Sequence, residues 1–259
     1  MSDYLPVFTY KPDTLSEKWE LITKFIEQWN SILIPTTDCT KLILELEEKL
    51  NVRLPESFKN YITLSTQLLT LAIKFPNGMG SNAYSVLFRD RFVVEKIKNH
   101  DAISLMIQGE GDFYWAVRID DLQLENPPVH GYVLDYEDSN NDKFDYSEQT
   151  HSSITAFTIS HLLSYTHKNG GFSSNIDSEV NLSSLLKKCF SNFILFEGME
   201  IYEAKNMIAF YPHDPNGIYL KHHLSFHLWK DFKVWNIPKN IIKLSKEKYT
   251  CYGVFTRLK

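Results

Sequence analysis

The 259-residue sequence has only three cysteines, and they are widely separated, at Cys39, Cys189 and Cys251. An odd number of distant cysteines predicts neither a disulfide framework nor a cysteine-based zinc site. The first residues lack a basic start followed by an apolar run, and no stretch approaches the ~18 consecutive apolar residues of a membrane span. We therefore expect a cytoplasmic protein that is neither secreted nor bound to a membrane.

Glycine-rich motifs are also missing. The chain has ten glycines, and none lies in a G-x-x-x-x-G-K-[ST] or G-x-G-x-x-G spacing. The pair Gly109 and Gly111 fits a turn instead, because glycine tolerates positive φ. No G-x-S-x-G nucleophile elbow is present either. The sequence therefore predicts no catalytic residue and no bound cofactor.

The residues that are present predict a packed protein with an uneven charge. Hydrophobic residues make up 43% of the chain and aromatic residues 14%, which excludes an intrinsically disordered chain. The net charge is −5, but residues 101–148 hold twelve acids and two bases, whereas residues 182–259 hold twelve bases and six acids. Such asymmetry fits either a solvated surface or an electrostatic docking site, and the second interpretation predicts a basic partner.

The first quarter of the sequence has helical periodicity. Apolar residues recur every three or four positions over 14–32, and Thr14 with Glu17 forms a capping-box pattern, so a helix is predicted there. A second amphipathic helix is predicted to end near Asn51, and Pro55 suits the first position of a third. The inner face of the second helix is predicted to carry Leu42, Ile43, Leu46 and Leu50.

From residue 84 the pattern changes to short β-prone runs. They lie at 84–88, 91–97, 102–108, 113–119 and 129–137, and no helical segment separates them. Sequential strands of this kind predict a mainly antiparallel sheet. Side chains alternate within 113–119, so one face is expected to join the core and the other to remain available. A helix at 153–163 gives an α+β domain, with helices flanking the sheet.

A change in composition indicates a second part of the chain. Residues 168–175 are rich in glycine, serine and asparagine, which is typical of a linker. A short helix and four β-prone runs follow, and they predict either a further β-rich unit or an extension of the first sheet. The predicted organisation is a helical extension at 1–37, an α+β domain at 38–170, a linker at 171–181 and a basic β-rich unit at 182–259.

The run LELEEKLNVRLPESFKNYI at 44–62 joins an acidic amphipathic helix to an aromatic-bearing helix through a Leu-Pro turn. It resembles the opening of the SUKH superfamily, which includes fungal regulators of cell-wall synthesis and bacterial toxin-immunity proteins. Later segments resemble that family in the same order: a glycine-acid strand (GDFYWAV, 111–117), a proline-led strand with an acidic turn (NPPVH, 126–130, and DYED, 135–138) and a closing helix (153–163). The resemblance covers about 38–166.

The resemblance implies an α+β binding domain without catalytic residues. Many bacterial members of the family bind and neutralise the effector domain of a toxin, often a nuclease or a deaminase. We therefore expect a non-catalytic immunity protein that binds a basic cognate toxin through an acidic surface of its sheet. The residues expected to contact the toxin are the acids and one aromatic of this region: Asp112, Tyr114, Asp120, Asp121, Asp135, Glu137 and Asp138.

Other functions stay open at this point. A regulatory scaffold like the fungal members would bind cellular proteins without any toxin. A metal-dependent enzyme would use the C-terminal histidines, but the apolar residues among them are more typical of a strand, so no metal ligand is predicted. The basic C-terminal unit suggests packing against an acidic surface, in the same molecule or in a second copy, more than nucleic-acid binding. The histidine-rich stretch contains His213, Asp214, His222, His223 and His227.

Overall fold

The helices and antiparallel sheets of the protein confirm the predicted α+β class. The computed structural model describes residues 5–30, 32–71, 92, 94–97, 100–107, 113–134, 144–165, 171–175, 187, 190, 192–204, 207–212 and 223–228. The helices are α1 (Leu15–Asn30), α2 (Thr40–Leu50), α3 (Glu56–Thr70) and α4 (Ile154–Tyr165), with a 3-10 helix at Ile119–Asp121. The strands are β1 (Val94–Ile97), β2 (His100–Ile107), β3 (Phe113–Arg118), β4 (Val129–Leu134), β5 (Phe144–His151), β6 (Gly171–Asn175), β7 (Asn192–Phe196), β8 (Met199–Ala204), β9 (Met207–Pro212) and β10 (His223–Leu228). The strand predicted at 84–88 lies outside the described residues.

Helix α1 begins at the predicted capping box. The N–H of Glu17 donates to Thr14 Oγ1 at 3.2 Å, and the N–H of Thr14 donates to Glu17 Oε2 at 3.0 Å. The N–H groups of Thr14 and Asp13 hold the pKa of Glu17 below its usual value, so a negative charge stays at the positive end of the helix. The inner face of the helix is buried at the predicted spacing, by Trp19, Ile22, Phe25 and Ile26.

Helices α2 and α3 are joined by a short turn that begins at Asn51 and ends at Pro55. Asn51 has φ of 52°, in the left-handed region that asparagine tolerates, and its N–H donates to the carbonyl of Glu48 at the end of α2. Pro55 precedes α3 and is not its first residue. Leu42 is 38% exposed, so the predicted inner face of α2 is displaced by part of a turn. The less exposed positions of the helix are Ile43, Leu46, Glu47 and Leu50.

Glu47 is a polar residue on the inward face of α2, and its carboxylate binds the turn between α2 and α3. Its Oε1 accepts a hydrogen bond from the N–H of Leu54 at 2.8 Å and lies 3.2 Å from the ammonium of Lys59. Burial acts to raise the pKa of Glu47, but the Leu54 N–H and the Lys59 charge outweigh it and the pKa is lowered. One carboxylate therefore fastens the Leu-Pro turn to both flanking helices.

Replacing Glu47 with alanine is expected to lower the free energy of unfolding by about 1–2 kcal/mol, because the Leu54 N–H loses its acceptor. Urea denaturation of the full chain would measure the change. The matched control is Glu48→Ala, one position along the same helix and exposed, which is expected to change stability by less than about 0.5 kcal/mol. Equal effects at the two positions would contradict the role given to Glu47.

The first sheet has the strand order β1-β2-β3-β4-β5, and aromatic side chains of α3 and α4 pack together beside it. The ring centroid of Tyr61 lies 6.3 Å from those of Phe58, Phe92 and Phe157. Phe157 in turn lies 6.3 Å from Trp115 on β3. The Tyr61 hydroxyl donates to the carbonyl of Leu105 on β2 at 3.2 Å. This aromatic cluster forms the core between the helices and one face of the sheet.

The opposite face of the first sheet is buried at its centre, whereas Tyr114 and Arg118 on that face stay partly exposed, so the expectation that the face is available for binding is corrected in part. Ala102, Ala116 and Tyr132 on three adjacent strands are fully buried, and Tyr114 packs against them. The two alanines account for this burial, because their small side chains leave room for the tyrosine rings to pack close to the backbone. Arg118 Nε donates to the Tyr132 hydroxyl at 3.4 Å.

The second sheet has the strand order β6-β10-β9-β8-β7 and is also antiparallel. A two-residue connection joins β7 to β8, and both of its residues have positive φ: 49° at Glu197 and 79° at Gly198. A type I′ hairpin turn requires this combination. The Glu197 carboxylate forms a salt bridge with Lys18, which attaches the hairpin to α1.

The segment before α1 is attached to the second sheet by a buried carboxylate. Glu203 on β8 is fully buried, and its Oε2 accepts hydrogen bonds from the N–H groups of Val7 at 2.8 Å and Phe8 at 2.7 Å. Phe8 is itself fully buried, and its ring centroid lies 5.5 Å from that of Phe25 on α1. Residues near the start of the chain therefore belong to the core of the C-terminal sheet.

The chain divides into two units, of which one is discontinuous in sequence. Residues 33–159 form one unit, and residues 1–32 join residues 160–259 in the other. This division differs from the sequence-based boundaries, which make 1–37 a separate extension. The bonds from Val7 and Phe8 to Glu203 lie within the discontinuous unit, and no local sequence pattern reveals them. The predicted linker at 171–181 is also corrected in part, because residues 171–175 form β6 and pair with β10.

Candidate functional site

The segment after β3 presents carboxylates with no base among them. Residues 119–126, which we call the acidic turn, contain Asp120, Asp121 and Glu125 and no lysine, arginine or histidine. The 3-10 helix begins this turn, and the N–H of Leu122 donates to the carbonyl of Ile119 at 3.1 Å. A second bond, from the Leu124 N–H to the Asp121 carbonyl at 3.0 Å, continues the ordered backbone.

The side chains of the acidic turn divide between solvent and core. Asp120 and Glu125 are exposed, and Leu124 is 47% exposed beside Glu125. Leu122 points the other way and is buried. The exposed side of the turn thus combines two carboxylates with an apolar side chain, a combination that suits a basic protein surface better than a small polar ligand.

Two helices hold the far end of the acidic turn. The N–H and the hydroxyl of Ser57, at the start of α3, both donate to the carbonyl of Glu125, at 3.3 and 2.7 Å. Asn126 and Thr155, at the start of α4, bond reciprocally: Asn126 Nδ2 donates to Thr155 Oγ1 at 2.8 Å, and the Thr155 N–H donates to Asn126 Oδ1 at 3.4 Å. These bonds fix the turn before any partner binds, which reduces the entropy cost of association.

A histidine holds the near end of the acidic turn. His130 on β4 is only 6% exposed, and its Nε2 lies 3.1 Å from Asp121 Oδ2. An ionised carboxylate can only accept, so Nε2 carries the proton of this bond and Nδ1 of the neutral ring is an acceptor. Nδ1 is buried and has no hydrogen-bond partner among the residues that the structure describes.

The surroundings of His130 favour its neutral form. Burial lowers the pKa of His130 below its usual value, and the positive charge of Arg118 lowers it further. The hydrogen bond and the negative charge of Asp121 act in the opposite direction but do not outweigh burial. At neutral pH the ring is therefore uncharged, and it donates one hydrogen bond to the acidic turn.

Three of the seven residues expected to bind the toxin lie in the described ranges. Asp120 is exposed in the acidic turn, and Asp121 is next to it but paired with His130. Tyr114 is half-buried on the sheet face opposite the aromatic core, packed against the alanine and tyrosine cluster. The other four expected residues lie outside the described ranges: Asp112, Asp135, Glu137 and Asp138.

The residues that position the acidic turn are not among those selected from the sequence. Ser57, Thr155 and His130 reach it from two helices and a strand, and no charge count or spacing connects them to it. One weak signal for His130 exists. It lies two positions before Tyr132 in a mostly apolar strand, so the two side chains share a sheet face, and a histidine on such a face needs a polar partner.

The described residues contain no group of three histidine, cysteine or acidic side chains that could hold a metal ion. Of the histidine-rich stretch, His223 and His227 lie on β10, and His213, Asp214 and His222 fall outside the described ranges. None of the described helices is long and apolar enough to cross a membrane.

No family model, curated protein or solved structure matches this chain.

Proposed function

We propose that this protein is a non-catalytic immunity protein that binds a basic toxin domain through its acidic turn. The observation that carries the proposal is the rigid display of Asp120 and Glu125, which are exposed on a backbone held by α3 and α4. The resemblance of residues 38–166 to the SUKH superfamily supports the same function.

The chemistry of the turn matches the expected target. A nuclease or deaminase binds phosphates in a basic cleft, and carboxylates on a rigid turn occupy such a cleft by the same charge attraction. Opposite charges also speed the first encounter of the two proteins. Leu124 adds apolar area beside the acids, so the contact is not purely electrostatic.

Co-expression with the product of a toxin-like gene encoded beside this protein tests the proposal. Survival of the host cells, together with a complex of fixed stoichiometry, is the expected result. If both proteins are soluble but no rescue occurs and no complex forms, the immunity function is wrong and a regulatory scaffold takes its place.

Reversing the two exposed charges, as Asp120→Lys with Glu125→Lys, is expected to slow association with the toxin domain by about tenfold or more at low salt. The dissociation rate is expected to change less, because exposed charges act mainly on the encounter. Stopped-flow measurement at several salt concentrations would check both the rate and its salt dependence.

The matched control reverses two exposed acids of α2 in the same unit, as Glu45→Lys with Glu48→Lys. Both double variants change the net charge by the same amount, so a general charge effect would slow them equally. Equal association rates for the two variants would place the binding surface elsewhere than the acidic turn.

A further inference from the structure

The bond between His130 and Asp121 joins the acidic turn to β4, and it depends on the protonation of one ring. His130 donates through Nε2, while its Nδ1 is a buried acceptor with no partner in the described part of the chain. A second proton on the ring would turn Nδ1 into a donor that also lacks a partner. A buried donor without an acceptor is unfavourable, because it has lost its hydrogen bonds to water.

Among the residues that the structure describes, the charged and titratable groups that surround His130 supply no such acceptor. Arg118 on β3 and His100 on β2 both oppose a positive charge on the ring, and Asp121 already bonds to Nε2. Tyr132 lies beside the ring with a centroid distance of 6.4 Å, and its hydroxyl accepts a bond from Arg118. Protonation is therefore easiest when the ring leaves this position and reaches water.

We propose that His130 is a pH-sensitive positioning residue, whose neutral form holds the acidic turn and whose protonation below about pH 6.5 releases it. Its effect on toxin binding rests on the proposed immunity function, whereas the release of the turn requires no partner. Neutral pH would thus favour the rigid, binding-competent turn, and acidic pH would weaken binding.

The sign of the effect follows from linkage. The anchored ring has a lowered pKa, because burial and Arg118 disfavour its charged form, while the released ring titrates at its usual value. The anchored form is therefore fully favoured above about pH 6.5 and loses that advantage as the pH falls. Each unit of pKa difference between the two forms changes their ratio about tenfold.

NMR of the full chain without a partner tests the switch directly. Between pH 7.5 and 5.5, the backbone amide signals of residues 119–126 are expected to shift together with the ring nitrogens of His130. His130→Gln keeps an N–H donor but does not titrate, and in this variant the amide signals are expected not to respond. The wild-type ring titration needs no variant, so the test survives if His130→Gln fails to fold.

His100→Gln is the matched control, because it removes another imidazole, whose charge acts on His130. Its acidic turn is expected to respond to pH as the wild type does. Two results would overturn the proposal: amide signals of the turn that do not follow the His130 titration, or a response that disappears with His100→Gln.

The effect on binding separates this inference from the proposed function. Affinity for the toxin domain is expected to fall by about tenfold per unit of pKa difference in the wild type, and by less in His130→Gln. If the wild type and His130→Gln lose affinity for the toxin domain to the same extent at acidic pH, the proposed switch is wrong and the proposed immunity function is unaffected. If no toxin complex forms but the turn still responds to pH, immunity is wrong and the switch stands.

Discussion

Tyr61→Ala is expected to lower the free energy of unfolding of the first sheet and its helices by about 3–5 kcal/mol. Tyr61 is fully buried, and its ring packs against three other aromatic rings. They belong to Phe92, to Phe58 on α3 and to Phe157 on α4. Alanine would leave a cavity among rings that cannot collapse to fill it, because each is held by other contacts.

Tyr61→Phe separates the ring from the hydroxyl. This variant keeps the aromatic packing and removes the hydrogen bond to the Leu105 carbonyl, so a loss of about 1–2 kcal/mol is expected. Hydrogen exchange of amides in α3 and β2, measured on the full chain, would report both variants. If alanine and phenylalanine cost the same, the hydroxyl and not the ring would hold this core together.

Glu203→Ala is expected to destabilise the second sheet by about 2–6 kcal/mol, because two buried N–H donors each lose their acceptor. The loss should be seen first as faster hydrogen exchange at Phe8, which Glu203 holds, and in α1, whose Phe25 ring packs against Phe8. Burial shields these N–H groups from bulk solvent, since Phe8 and Glu203 are fully buried and Val7 is 9% exposed.

Two variants make this prediction specific. Glu203→Gln keeps an acceptor oxygen and is expected to retain more of the stability than alanine. Deleting residues 1–13 removes the same bonds from the other side, together with the buried Phe8 ring, so it is expected to destabilise the sheet as well. Unchanged exchange in α1 after Glu203→Ala would show that the N-terminal segment is held by other contacts.

Local sequence patterns predict the helices and most strands of this protein, because these elements depend on interactions between residues that are close in sequence. The Thr14 and Glu17 capping box starts α1, and Asn51 ends α2 in the left-handed conformation. Strand β5 is not predicted, since its sequence FDYSEQTH has few apolar residues and it is a strand through its pairing with β4. Strand β6 is missed for the same reason, because its glycine and serines suggest a linker.

The candidate site is predictable only in its charges. Counting acids selects Asp120 and Asp121, but it treats them as equivalent, whereas the structure exposes the first and pairs the second with His130. The bonds that make the turn rigid come from residues 68 positions away at Ser57 and 29 positions away at Thr155. Contacts over such distances depend on the fold, so no spacing rule in the sequence contains them.

The discontinuous unit has a consequence for how the protein is made. Val7 must find Glu203, which the ribosome adds 196 residues later, whereas residues 33–159 hold all the strands of their own sheet. The middle of the chain can therefore fold during translation before α1 has its partner, the second sheet, to pack against. In that interval the apolar face formed by Trp19, Ile22 and Phe25 is uncovered, which exposes the first thirty residues to aggregation until the second sheet forms.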